Sequence, residues 1–201
     1  MAQTPIIPVR EQIANHLRSE IISGKLAPNQ KLTEEMLARR FGVSRGRIRD
    51  VLLELSKEGL LVAKANKGTS VNDVATPDLQ ALLVKLRFQI ESYAVKKVVK
   101  QEDSEDIATL EAACQELEHC LNMGNFAEAT KADINFHRLI VFAAGGDDLV
   151  NLWQPVIMRM RMNFQQITSV DQFLGEHEAI FSAIAQGDEK AAIEALKANI
   201  R

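Results

Sequence analysis

The run VSRGRIRDVL, residues 43–52, holds three arginines within five positions, at 45, 47 and 49. Apolar residues at positions 48, 51, 52 and 55 follow the spacing of one helix face. Ser44 is a good N-cap, because its hydroxyl can accept a backbone N–H that the first helical turn leaves unpaired. The run therefore predicts a helix that turns its arginines outward. Its inward side chains are expected to be Ile48, Leu52 and Leu55.

Arginines at the start of a helix suit a DNA recognition helix, whose N-terminal residues reach base edges in the major groove. The planar guanidinium of Arg45, Arg47 or Arg49 can pair with O6 and N7 of guanine at once. The alternative is a solvated basic face on an ordinary surface helix, since charge runs on helices are common. The neighbouring sequence favours the first interpretation.

Two helices are predicted before this one. Residues 8–23 place apolar side chains on one face of a helix, and Thr33 is the N-cap of a short second helix. Gly42 ends the second helix, so that a short turn containing glycine leads to Ser44, as in a helix-turn-helix. The side chains expected to face inward from the second helix are Met36, Leu37 and Phe41.

A hairpin is predicted after the third helix. The runs 60–63 and 69–71 are strand-like, and Asn66 and Gly68 between them tolerate the positive φ of a hairpin turn. Lys67 would lie at the tip, on backbone phosphate or in a minor groove, where it adds affinity more than sequence information. A helix-turn-helix followed by a basic hairpin is a winged helix.

The charge of the chain is unevenly distributed. The 201 residues carry a net charge of −3, but residues 1–75 have 12 Lys and Arg against 8 Asp and Glu, while residues 76–201 have 12 against 19. The basic part can therefore meet phosphate although the whole chain is acidic.

Several features predict a soluble cytoplasmic protein without a membrane partner. Cys114 and Cys120 lack neighbours at disulfide-framework or zinc-ligand spacing, which favours a reducing compartment. The N-terminus has no secretory pattern, and no apolar run approaches the roughly 18 residues that span a bilayer. The chain stops at Arg201 within a predicted helix, which leaves open a longer native tail.

The second half predicts an all-α domain. Thr76 can cap a helix that begins at Pro77, and no alternating strand pattern follows residue 75. The fold class is therefore mainly α, with an N-terminal winged helix-turn-helix at 1–75 and an antiparallel helical bundle at 76–201. Helices are expected near 77–100, 104–123, 125–144, 147–168, 171–186 and 188–200, with a break at Gly145-Gly146.

Three residues of the bundle could carry chemistry. Asp133 and His137 are four residues apart on one predicted helix, so they project from one face and can share a cation. His177 lies on a later predicted helix. A lone Asp and His at this spacing is weak evidence, because such a pair more often lies in solvent.

The first half resembles the N-terminal domain of GntR-superfamily bacterial transcription regulators. The motifs are Lys31-Leu32-Thr33-Glu34, Leu37-Ala38, Phe41-Gly42-Val43-Ser44-Arg45 and Glu58-Gly59-Leu60. The resemblance implies that Arg45 and Arg49 reach bases or phosphates and that the wing tip at residues 66–68 contacts DNA. Gly46-Arg47 departs from the family pattern, and Arg47 can add a contact. The DNA-binding residues are expected to be Ser44, Arg45, Arg47, Arg49, Asn66, Lys67 and Gly68.

The second half resembles the FCD effector-binding domain of the FadR subfamily, in Asp133-Ile134-Asn135-Phe136-His137 and His177-Glu178-Ala179-Ile180. The resemblance implies a divalent metal held by one Asp and three His, of which Asp133, His137 and His177 match three. Asn199 stands where the family has its last His, and an amide oxygen is a weaker donor for Zn²⁺.

Three outcomes stay open for the metal. Asn199 or water can complete a weaker site, another cation such as Ni²⁺ or Mn²⁺ can replace Zn²⁺, or the pocket can bind its effector without metal. Arg87 matches an arginine of the family's bundle and would hold a small carboxylate effector. Its alternative is an ion pair with Glu91, four residues on.

The sequence thus predicts a homodimeric, effector-responsive transcription regulator, more often a repressor in this family, on a palindromic double-stranded DNA operator. A competing class is a metal-dependent hydrolase built on the same Asp133, His137 and His177, with Glu178 as its base. It lacks an HExxH signature and leaves the basic motif unexplained. A third class is a DNA-binding scaffold with a vestigial, metal-free pocket.

Overall fold

The computed structural model describes residues 8–64, 68–101, 103–163 and 169–200, without the side chains of Lys64 and Ala127. The helices are α1 Val9–Ile22, α2 Glu34–Phe41, α3 Arg45–Lys57, α4 Pro77–Gln101, α5 Ser104–Asn122, α6 Phe126–Arg161, α7 Val170–Ala185 and α8 Glu189–Asn199. The strands are β1 Lys31–Leu32, β2 Leu61–Lys64 and β3 Gly68–Val71. None of the described helices is long and apolar enough to cross a membrane.

The chain forms two compact units. Of the described residues, the first contains 8–76 and 158–163, and the second contains 77–157 and 169–200. The first is a helix-turn-helix with a small sheet, and the second is helical throughout. The predicted class, a mainly α protein with a winged helix-turn-helix and a helical bundle, is confirmed.

Capping residues set the helix-turn-helix as predicted. The Thr33 hydroxyl accepts the Met36 N–H at 3.1 Å, and the Ser44 hydroxyl accepts the Arg47 N–H at 3.4 Å. Gly42 between the helices has φ +66°, a left-handed conformation that glycine adopts without a Cβ clash. Helix α2 can therefore stop and α3 can begin in a new direction within three residues.

The inward face of the helix-turn-helix is correctly predicted for α3 and wrong at one residue of α2. Leu37 is fully buried and Phe41 is half-buried, but Met36 is 43% exposed. Leu37 and Phe41 are four residues apart and share a face, whereas Met36 lies about 100° around the helix from Leu37. The buried side chains of α3 are Ile48, Val51, Leu52 and Leu55.

The wing is a three-stranded antiparallel sheet in the order β1-β3-β2, with Leu61 opposite Val71 and Lys31 opposite Ser70. The two predicted strands are confirmed. Strand β1 was not predicted, because two residues are too few to show alternation. Gly68 opens β3 with φ +80°, whereas Asn66 and Lys67 lie outside the described residues.

The predicted break at Gly145-Gly146 is confirmed. Gly146 has φ +58° and ψ −154° inside α6, which interrupts the helical backbone. The Lys97 ammonium donates to the Ala144 carbonyl at 2.6 Å, which satisfies a backbone acceptor beside the break. The helix predicted for 147–168 ends at Arg161, and residues 164–168 lie outside the described part.

Candidate functional site

Among the described residues of the helical unit, five acidic or basic side chains are at most 2% exposed: Arg87, Glu91, Asp133, His137 and His177. Helices α4, α6 and α7 supply them. Burying a charged group is costly unless it is paired, so a cluster of this kind in a helical core indicates a binding site.

The three candidate metal ligands meet in this cluster. Their donor atoms all lie within 4.8 Å of one another. His177 Nε2 is 2.9 Å from Asp133 Oδ1, and His137 Nε2 is 3.7 Å from the same oxygen. The four-residue spacing on α6 places Asp133 and His137 on one face, and α7 brings His177 opposite them.

Hydrogen bonds on the far side of each imidazole determine its tautomer. His177 Nδ1 is 2.8 Å from the Phe173 carbonyl, and His137 Nδ1 is 2.7 Å from Glu91 Oε2. Both partners are acceptors only, the carboxylate being ionised, so each Nδ1 carries the proton. A neutral ring then presents an Nε2 lone pair towards Asp133.

This arrangement fits a divalent cation. A neutral His177 and the Asp133 carboxylate direct lone pairs at each other over 2.9 Å, which is favourable only with a proton or a metal ion between them. Among the described residues His137 Nε2 is buried without a hydrogen-bond donor or acceptor. Burial lowers the pKa of His137, which keeps the ring in the neutral form that binds metal.

Glu91 joins three other side chains of the cluster. Its Oε1 accepts from Arg87 Nε and from Trp153 Nε1, each at 2.7 Å, while Oε2 accepts from His137. Burial would raise the pKa of Glu91, but Arg87 and His137 together lower it to about 2. Glu91 is therefore ionised and holds the ring of His137 in one orientation.

The alternative considered for Arg87, an ion pair with Glu91, exists in the structure. It uses only one edge of the guanidinium, however. Arg87 Nη2 is buried and has no hydrogen-bond partner among the described residues. A buried arginine donor of this kind is available for an acceptor oxygen on a ligand.

Asn199 is half-buried as the last residue of α8. It follows the buried Ala192 and Leu196 by seven and three residues, so it lies on the same inward stripe of the helix. Its place as a metal ligand stays a prediction.

The three arginines of α3 differ in their partners. Arg49 pairs with Glu34 on α2 through Nε and Nη2, at 2.8 and 2.9 Å. Arg45 Nη2 is 3.4 Å from a Glu35 carboxylate oxygen. The exposed Arg47 side chain has no partner within the described part of the chain. All three lie at the N-terminal end of the helix, as a recognition helix requires.

The sequence patterns do not predict Trp153 as part of the site, and they indicate Glu91 only as a partner of Arg87. The signal for Trp153 is weak but physical: it is the single tryptophan of the chain, and a buried indole N–H needs an acceptor. Glu91 lies 62 residues away from it, too far for local spacing to reveal the pair.

Two family models match the chain. Residues 9–71 match the family described as bacterial regulatory proteins, gntR family, and residues 82–201 match the FCD domain. The chain belongs to the gntR family of bacterial regulatory proteins and carries an FCD domain. It is a transcription regulator.

Individual relatives agree with this assignment. The uncharacterized HTH-type transcriptional regulator YdhC of Bacillus subtilis (strain 168) is 30% identical, over 92% of this chain and 84% of its own. The HTH-type transcriptional repressor RspR of Escherichia coli (strain K12) is 26% identical, over 98% and 88%. The solved structure of E. coli McbR/YncC has the same fold, with a TM-score of 0.81 at 18% identity over 97% of this chain and 94% of that one. Family and relatives are regulators, not enzymes, which confirms the preference for a regulator over a hydrolase.

Proposed function

We propose that the chain is a cytoplasmic transcriptional repressor of the FadR subfamily that binds a palindromic operator as a homodimer. Residues 1–75 would form the DNA-binding domain, and residues 76–201 would bind the effector and dimerise. The observation that carries the proposal is the exposed, arginine-rich start of α3, whose opposite face is buried in a winged helix-turn-helix.

The proposed DNA contacts are Ser44, Arg45, Arg47, Arg49, Asn66, Lys67 and Gly68. Replacing Arg49 by Ala removes a guanidinium from the start of α3, and operator binding should weaken more than about tenfold. Thermal unfolding should change little, because the Arg49 side chain is 70% exposed. A titration of labelled operator duplex with unchanged affinity would remove Arg49 from the recognition surface.

A palindromic operator implies a twofold axis through the protein. Helix α4 offers a surface for the second copy, since Leu79, Leu82, Leu86 and Tyr93 are exposed at spacings of three, four and seven residues. These side chains form one stripe along the helix, opposite the face that is buried in the bundle. An exposed apolar stripe of this length favours association with an identical helix.

We infer that the buried cluster holds a divalent transition metal such as Zn²⁺, Ni²⁺ or Mn²⁺. Asp133, His137 and His177 would be its ligands, with Asn199 or water in the remaining position. The support is the pair of Nε2 atoms that face one carboxylate while both Nδ1 atoms are occupied elsewhere. A bound divalent ion would supply a fixed positive charge in the pocket.

Elemental analysis of protein purified without chelator or affinity metal tests this. We expect about one equivalent of metal per chain, as the single cluster of ligands in the described residues implies. The equivalent should be lost in His137→Ala and retained in His119→Ala, whose imidazole is exposed on α5. Metal absent from all three, even after Zn²⁺, Ni²⁺ and Mn²⁺ are offered, would favour a metal-free pocket.

The effector would be a small organic carboxylate. Arg87 and Glu91 cancel each other's charge, and Asp133 leaves the pocket negative when both histidines are neutral. A divalent ion would reverse that sign, so an anion becomes a favourable ligand with Arg87 Nη2 as a further donor. Thermal shifts with small carboxylates should therefore be larger for metal-loaded than for chelated protein.

A further inference from the structure

Glu34 and Arg49 form a two-pronged ion pair between the two helices of the helix-turn-helix. Arg49 Nε donates to Glu34 Oε1 at 2.8 Å, and Nη2 donates to Oε2 at 2.9 Å. Arg49 lowers the pKa of the Glu34 carboxyl, so the pair is ionised at neutral pH. The Arg49 side chain is nevertheless 70% exposed, and it lies in the second turn of the proposed recognition helix.

The geometry of the pair leaves one edge of the guanidinium free. Arginine has five N–H donors, and Glu34 takes one on Nε and one on Nη2. The remaining edge, between Nη1 and Nη2, offers two parallel N–H groups. Two parallel donors are what O6 and N7 of guanine require. Because two hydrogen bonds fix the plane of the guanidinium, they also fix the direction in which this edge points.

We propose that Glu34 is a positioning residue for base recognition: it holds the Arg49 guanidinium so that its free edge reads a guanine in the operator. This inference rests on the proposed function, since it needs a DNA-binding helix α3. Without Glu34 the long Arg49 side chain samples many rotamers and contacts phosphate as readily as bases. Glu34 thus contributes sequence discrimination at the cost of a negative charge near the DNA.

Glu35 is a matched control on the same turn of α2. Its carboxylate pairs with Arg39 at 2.6 Å, and its distance to Arg45 Nη2 is 3.4 Å through one oxygen only. Both glutamates lie in the first turn of the helix, so neutralising either one removes the same charge from the same region. Of these two glutamates, only Glu34 pairs with an α3 arginine through both carboxylate oxygens.

The test measures the affinity of wild type, Glu34→Gln and Glu35→Gln for three kinds of duplex. The first is selected from a random library by the wild-type protein, and the second is the same duplex with each guanine pair replaced in turn. The third has an unrelated sequence. Both variants should bind the unrelated duplex as tightly as wild type or tighter, because a charge that repels phosphate is gone. At one position of the selected duplex, Glu34→Gln should lose about tenfold of the preference in affinity for guanine over its replacement, whereas Glu35→Gln should keep it. In an Arg49→Ala background, Glu34→Gln should leave discrimination unchanged.

Two results would overturn the inference: equal discrimination by Glu34→Gln and Glu35→Gln, or a Glu34→Gln effect that persists without Arg49. Glu34→Asp separates position from charge, since it keeps the carboxylate but shortens its reach, and it should also lose discrimination. Thermal unfolding of each variant identifies a folding defect. If the wild-type protein selects no sequence at all, the proposed function fails, and that outcome differs from a failure of Glu34 alone.

Discussion

The buried carboxylate of Glu20 pairs with the partly exposed Arg40 and connects α1 to α2. The Arg40 guanidinium donates to the two Glu20 carboxylate oxygens at 2.6 and 2.7 Å, and Glu20 is 4% exposed. Hydrogen bonding from Arg40 lowers the pKa of Glu20 to about 2. Arg40 is thus held by the fold, although its side chain is 36% exposed.

The pair predicts acid sensitivity of the first unit. Since the pKa of Glu20 is lower in the folded chain than the ordinary 4.5, its contribution is complete above pH 4.5 and is lost as the pH falls towards 2. Glu20→Gln should cost about 1–2 kcal/mol of unfolding free energy at pH 7 and much less near pH 2. Urea unfolding at both pH values checks this, with the exposed Glu11→Gln on the same helix as control. A cost that is equal at both pH values would contradict it.

Glu91 carries a second prediction at the residue scale. A glutamine there has one acceptor oxygen and cannot satisfy the donors of Arg87, Trp153 and His137 together. Glu91→Gln should therefore weaken Zn²⁺ binding about 10- to 100-fold, the usual effect of losing an outer partner of a metal-bound histidine. The fluorescence emission spectrum of the variant should also change, because Trp153 is the only tryptophan.

Competition with a zinc indicator measures the affinity, and fluorescence reports Trp153 in the same samples. Glu111→Gln, on the exposed face of α5, is the matched control. Glu91→Asp retains the charge and tests whether position matters as well. Unchanged zinc affinity in a folded Glu91→Gln protein would show that His137 does not need this partner.

At the scale of elements, local signals predicted helix ends well. Thr33, Gly42 and Ser44 act through hydrogen bonds and backbone angles within four residues, so their sequence pattern already contains the cause. Two predictions failed because their outcome depends on packing and not on local signals. Met36 is exposed because only one stripe of the second helix faces inward. Strand β1 exists only because β3, almost 40 residues later, pairs with it.

The buried cluster also combines features that the sequence predicts with features that it does not. The spacing of Asp133 and His137 predicted that they share a helix face, and the family resemblance added His177. The hydrogen bonds that orient the two imidazoles come from Glu91, 46 residues before His137, and from the Phe173 carbonyl. Such partners depend on how helices pack, which no single-sequence periodicity contains.

The exposed stripe of α4 gives a prediction at this scale. Replacing Leu82 and Leu86 together by Glu should convert the proposed dimer to monomer, since each leucine buried contributes about 1.5–3 kcal/mol and each appears twice. Light scattering after size exclusion measures the mass. Lys85→Glu, exposed between them, should remain dimeric. A monomeric wild type would disprove the dimer, and a dimeric double variant would place the interface elsewhere.

At the scale of the whole molecule, regulation requires that a ligand in the helical unit change the affinity of the first unit for DNA. Such coupling is a free energy shared by two sites, so DNA must change effector affinity by the same factor. The charge balance of the pocket adds a condition. A divalent ion beside Asp133 would give the pocket a positive charge that it lacks without metal, so a carboxylate effector and the metal should act together.

The expected outcome is that a carboxylate found by thermal shift changes the Kd for the selected duplex about 5- to 150-fold in metal-loaded protein and not after chelation. His137→Ala should bind DNA like wild type yet ignore the effector, because the buried cluster is altered and α3 is not. His119→Ala should respond normally. Anisotropy titrations at one salt concentration measure each Kd, since salt alone shifts DNA affinity strongly. A full response in His137→Ala would mean that the effector binds outside the cluster, and the metal would then lose its regulatory role.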